Sequence, residues 1–236
     1  MSRQSSSSSE RRSFLTSLNA RVASLAALAA GGVAMAQGKS IAPARWEPAR
    51  HEKDDWFDKL PGKHRLVFDT ITPDGLGEAL AFAGNYIRVN RADYGLESSD
   101  LAIVIILRHR STAFAYSDAM WAKYGKVLTA RTKLEDPKSK QAPTINVYNS
   151  GDYGDLLPNR ATTFDALAKQ GVQLAVCSMA THGLSGMIAE AVGGKADAIY
   201  SELTANLVST SNARMVPAGI VAVNRAQERG YSLVSG

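Results

Sequence analysis

Leu101-Ala102-Ile103-Val104-Ile105-Ile106-Leu107 is an unbroken apolar run of seven residues, four of them β-branched. A strand with one wet face alternates apolar and polar side chains, so a run without alternation predicts a strand covered on both faces. Such strands belong to parallel sheets wrapped by helices. The flanks agree. Downstream, Ser111 and Thr112 can cap a helix running to about Tyr124. Upstream, Leu66-Val67-Phe68 is a second short apolar run and Thr72-Pro73-Asp74-Gly75 makes a turn. Leu76, Leu80, Ala83 and Ile87 then recur at helical spacing.

The alternation continues toward the C-terminus. Residues 164–168 read as a helix stopped at Gly171, and 172–176 as a strand. Helical patterns follow at 184–191 and at Ala196, Ile199, Leu203 and Leu207. A short strand at 214–216, a helix at 218–229 ended by Gly230 and a last strand at 231–234 close the chain. Strands alternating with helices predict an α/β fold, a three-layer α/β/α sandwich around a mainly parallel five-stranded sheet.

Two stretches stand apart. Residues 126–160, rich in Lys, Pro, Asn, Asp and Gly, read as a long surface excursion with a short strand at 144–148. Residues 37–63 read as a linker or arm ahead of a domain at 64–236, with Trp46 and Trp56 able to pin it to a surface.

The first 36 residues carry an address. Glu10-Arg11-Arg12-Ser13-Phe14-Leu15 places two arginines before an apolar pair, and an uncharged run at 22–36 closes on Ala34-Met35-Ala36. This is the pattern of a twin-arginine signal cleaved after Ala36, which implies the twin-arginine export machinery as a partner and a periplasmic protein. Thr16 replaces the lysine usual after Phe-Leu, so the general secretory route stays open. A membrane anchor is the other reading, but Asn19 and Arg21 interrupt the stretch and a span needs about 20 apolar residues. No membrane association is expected after processing.

Removing residues 1–36 takes away four arginines and one glutamate, so the net charge falls from +5 to +2. Charges on the remainder are mixed along the chain, which argues against a nucleic-acid partner. Cys177 is the single cysteine, so no internal disulfide forms even in an oxidising compartment. Four scattered histidines, His51, His64, His109 and His182, give no metal-ligand spacing. Gly193-Gly194 lacks the context of a dinucleotide loop and no Walker sequence occurs, so no cofactor is expected.

Cys177 ends the third strand, and Ser178-Met179-Ala180 lead into a helix. Ligands of open α/β sheets bind at the carboxyl ends of strands, where helix N-termini favour anions, including a thiolate. The plainer alternative is a small buried hydrophobe. Arg108-His109-Arg110 should open onto the same edge and could hold a small anion. Against that, Ser111 could simply cap its helix while the arginines are solvated or paired. His182, five residues after Cys177, lies well round the helix from it and suits a cap or surface role. Phe114, Tyr116, Trp121 and Tyr124 occupy more than one side of the predicted helix, which suggests either a subunit contact or burial beneath the excursion.

Two blocks carry a family resemblance. One is Gly171-Val172-Gln173-Leu174-Ala175-Val176-Cys177. The other is the turn Val216-Pro217-Ala218-Gly219 with a helix ending Gln227-Glu228-Arg229-Gly230-Tyr231. Together with the strand order they resemble the DsrE/DsrF-like family over most of residues 64–234. The resemblance implies flavodoxin-like winding, assembly into trimers or hexamers, and a cysteine, here Cys177, that accepts sulfur as a persulfide from a donor and passes it to an acceptor. The excursion, the helical stretch at 195–208 and the export signal all depart from the compact cytoplasmic members. The expectation is an exported sulfur (persulfide) carrier using Cys177. The alternative is a non-catalytic oligomeric binding or assembly module with an inert Cys177. A thiol or peroxide sensor is a third reading, and it would need intermolecular disulfides.

Overall fold

The computed structural model describes residues 47–236. The expected export signal, the expected cleavage point after Ala36 and Trp46 lie outside the described residues. The strands are β1 (His64–Thr70), β2 (Leu101–Leu107), β3 (Gln173–Cys177), β4 (Ala213–Val216) and β5 (Ser232–Ser235). The helices are α1 (Trp56–Lys59), α2 (Pro73–Tyr94), α3 (Asp118–Thr132), α4 (Phe164–Ala168), α5 (Ser178–Val192), α6 (Ala196–Ala205) and α7 (Gly219–Gln227). All pairings are parallel, in the order β4-β3-β2-β1-β5. The result is the expected three-layer α/β/α fold.

β2 coincides with the seven-residue apolar run and every residue of it is buried. Its side chains alternate between two cores. Ile103, Ile105 and Leu107 join α2 to α6 on one face, whereas Ala102, Val104 and Ile106 join α1, α7 and Tyr231 on the other. We call these the deep and the shallow face. β1 to β4 step one way across the sheet through helices on the deep face; α7 then returns across the shallow face to place β5 at the opposite edge. Right-handed crossovers in both directions demand this division of helices.

Local sequence explains the boundaries. Thr72 caps α2, its side chain accepting from the Gly75 N–H, with Pro73 at the first position and Gly95 ending the helix at φ 65°. The helix expected from Ser111 to Tyr124 is instead two. A 3-10 turn covers Ser111–Ala115, Tyr116 is extended, and α3 begins at Asp118. The cause is non-local: the buried Asn146 amide donates to the carbonyls of Phe114 (2.7 Å) and Tyr116 (2.9 Å), and Tyr116 forms an antiparallel bridge with Leu207. The strand expected at 144–148 is likewise absent. Asn146 caps a 3-10 turn at Val147–Asn149, and burial rather than pairing accounts for its apolar residues.

The stretch 126–160 differs from a surface excursion. Its first residues complete α3, and Val147, Tyr148, Tyr153 and Leu157 are buried in the deep core. Tyr148 packs edge-on against Phe114 at 4.8 Å between ring centroids. Phe114, Tyr116, Trp121 and Tyr124 are therefore covered by this chain itself. The arm is also more than a linker, because Trp56 and Phe57 fill the shallow core. Among the described residues no helix is long and apolar enough to cross a membrane.

Candidate functional site at the carboxyl end of the sheet

β3 and β4 are neighbours, yet the chain leaves β3 toward the deep face through α5 and leaves β4 toward the shallow face through α7. Adjacent strands whose connections part in this way open a crevice at their carboxyl ends, where ligands of open α/β sheets bind. The residues at that point are Cys177 and Val216, partners in the β3–β4 register.

Cys177 is both the last residue of β3 and the N-cap of α5. Its Sγ accepts from the Ala180 N–H at 3.4 Å, so the sulfur takes the place a serine oxygen fills in an ordinary cap. Its carbonyl accepts from Thr181 Oγ1 (2.9 Å), and Thr181 Oγ1 in turn accepts from the Tyr116 hydroxyl (2.8 Å). Burial above all, opposed by the bond to Thr181 and helped by smaller charge effects from Tyr200 and Cys177, pushes the Tyr116 hydroxyl well above its ordinary range, so it stays a neutral donor. The extended Tyr116 thus straps the first turn of α5. The residue Cys177 itself is 6% exposed.

Arg108 follows β2 directly, one step beyond the Leu107–Val176 pair, and so stands beside Cys177. Its guanidinium forks onto Asp69 of β1, Nε to Oδ1 at 2.6 Å and the second contact to Oδ2 at 2.8 Å. That hydrogen-bonded pair raises the Arg108 pKa, opposed by burial and helped by the Asp69 and Cys177 charges. Gly219 opens α7 against this side chain. A Cβ there would stand 2.5 Å from Arg108 Cβ, which is why the turn carries glycine. Ser111 fastens the floor: its Oγ accepts from the Arg108 N–H at 3.0 Å and lies 2.9 Å from the Thr70 carbonyl.

The other expected site residues separate. His109 is exposed in a left-handed turn with φ 57°. Arg110 is half-buried; its N–H binds the Ile71 carbonyl (3.1 Å), and its Nε is buried without a partner. Ser111 lies inside the 3-10 turn and does not cap α3. His182 is exposed and stacks on Tyr200 with ring centroids 3.9 Å apart and planes 4° apart; Tyr200 also bonds Ser178 at 2.8 Å. Sequence reasoning missed Asp69, Thr181 and Tyr116. Asp69 alone left a signal, a carboxylate closing the apolar run 66–68. Around this edge Ile71, Met179 and Ile220 are exposed, Met179 at 70%.

Comparison with protein-family models, with curated proteins and with solved structures finds no match in any of the three.

Proposed function

We propose that the protein is an exported, DsrE-like sulfur carrier in which Cys177 accepts sulfane sulfur. The observation that carries this reading is the place of the thiol: its sulfur sits at the carboxyl end of β3 and accepts from the first turn of a 15-residue helix. An anionic sulfur there gains from the helix N-terminus and from Arg108 alongside. With thiosulfate as donor, the Cys177 thiolate attacks the outer sulfur. A new S–S bond forms, the donor S–S bond breaks, and sulfite leaves with its electron pair. The product is an anionic persulfide, and transfer to an acceptor thiolate reverses the same steps. Asp69 holds the guanidinium in place and neutralises it in part, so Arg108 stabilises the persulfide without trapping it.

Export, processing after Ala36 and assembly into trimers or hexamers belong to the same proposal, supported by residues 10–36 and by the resemblance. N-terminal sequencing of the exported protein should begin at Gln37. Sedimentation of the processed chain should give an oligomer.

A second reading has its own observation. A residue only 6% exposed, beside an arginine whose fork is already taken, suits an inert cysteine in a binding or assembly module. Intact-mass spectrometry after incubation with thiosulfate or polysulfide separates the two. A one-sulfur adduct that reductant removes and Cys177→Ser lacks supports the carrier. A thiol that stays unmodified and resists alkylation until the chain unfolds selects the module.

A further inference from the structure

A cavity of about 420 Å³ lies between the middle of α3, residues 142–144 and the end of α5. It is unrelated to the cysteine crevice: Cys177 caps the start of α5, while Ala191 and Val192 line the cavity at the other end, about 20 Å away at 1.5 Å per residue. The size falls within the range of small-molecule sites.

The wall is built into the sequence. A Cβ on Gly125 would stand 2.3 Å from the Pro143 carbonyl oxygen, so only glycine lets segment 142–144 close on α3. Val127, Ala142, Pro143, Ala191 and Val192 make the lining largely apolar. Its polar groups are unevenly matched. Lys123 is paired with Glu202, which also accepts from the Tyr124 hydroxyl at 2.6 Å. Lys126 is exposed and, among the described residues, has no ion-pair partner.

Apolar walls with an unmatched ammonium favour a ligand that brings an apolar body and an anionic head. A cationic head would meet the unpaired Lys126. The carbonyl end of α5 carries partial negative charge, so an anionic head belongs on the α3 side, toward Lys126. We propose that this cavity binds a small amphipathic anion, a short alkyl or aromatic body bearing a carboxylate or sulfonate. The proposal stands independently of the chemistry of Cys177.

The test uses the folded protein with 1-anilinonaphthalene-8-sulfonate as fluorescent probe and octanoate, octanol and octylamine as competitors. Saturable probe binding displaced by octanoate is expected. Ala191→Trp, an exposed substitution that fills the mouth without touching the core, should remove it. Lys126→Gln should weaken octanoate about three- to fivefold, the size of an exposed ion pair, and leave octanol unchanged. Cys177→Ser should change nothing. Absence of saturable binding, undiminished binding in Ala191→Trp, or octylamine competing as well as octanoate overturns the proposal.

Discussion

The two faces of the sheet are filled by different means. The deep face takes α2 to α6 and the 133–160 segment, and five of its aromatic side chains, Phe114, Tyr116, Trp121, Tyr148 and Phe164, are fully buried. The shallow face has one crossover helix, the nine-residue α7, which cannot cover a five-stranded sheet alone. The arm completes it. Phe57 packs edge-on against Tyr231 at 5.5 Å, and its carbonyl accepts from Tyr231 and Arg65. Charge holds the rest: Arg229 binds Asp58 at 3.1 Å and Arg225 lies 3.4 Å from Asp54. One face is sealed by bulk and the other by a strap tied with ion pairs. Cys177 stands where the chain divides between them, so the candidate site rests on both.

The sharpest way to break this contrast is to remove one ring from each face. Phe114→Ala should cost about 3–5 kcal/mol of global stability in urea unfolding, because its neighbours Trp121 and Tyr148 cannot collapse into the space. Phe57→Ala should cost less, about 2–3 kcal/mol, because the arm can detach locally and cap the loss. Limited proteolysis should then cut within 47–63 in Phe57→Ala and leave Phe114→Ala uncut there under native conditions. Equal global losses with no arm cleavage would mean that the arm is an integral part of one core.

The next effect tests the seam between the faces. Asp69 is 8% exposed and forks onto Arg108. Asp69→Asn leaves a guanidinium that is largely covered and without its countercharge, at an expected cost of about 2–3 kcal/mol, discounted from a fully buried pair because the Arg108 side chain is 26% exposed. Gly219→Ala presses on the aliphatic stem of the same arginine, 2.5 Å from its Cβ, and should cost about 1–3 kcal/mol. In a carrier, both variants should also slow sulfur loading of Cys177 measured by mass. Normal loading with lost stability would leave Arg108 a purely structural role.

Much of this was legible in the sequence, for reasons that differ by residue. β2 could be read to the residue because burial on both faces leaves no alternation to misplace. Cys177 could be placed because strand, cysteine and helix are consecutive. What failed depended on partners distant in sequence. Nothing local in Phe114-Ala115-Tyr116 breaks a helix; the Asn146 amide does, from 30 residues away. The arm read as a linker because Pro, Lys and Asp dominate it, yet two aromatic residues decide its fate. Asp69 was overlooked because its role exists only once β1 and β2 lie side by side.

The smallest predicted effect probes the segment that makes the deep face deep. Asp136 is buried, and burial by itself would raise its pKa. Three donors outweigh that: the Tyr153 hydroxyl, and the N–H groups of Ser139 and Lys138 at 2.8 Å each, hold its carboxyl below the ordinary range. The unfolded chain therefore takes up this proton first as pH falls. The stabilisation is fully present above the unfolded value, near pH 4, and is lost as pH drops through the lower folded value. Asp136→Asn keeps the shape and removes the titration, so its stability should fall less steeply than that of the parent protein as the pH drops below about 4. The variant should leave the loss caused by Phe114→Ala unchanged, since the hydrogen-bonded turn and the aromatic cluster are held by separate contacts. Identical acid slopes would show that Asp136 does not tie the segment down, and a changed Phe114→Ala cost would show that turn and core stand or fall together.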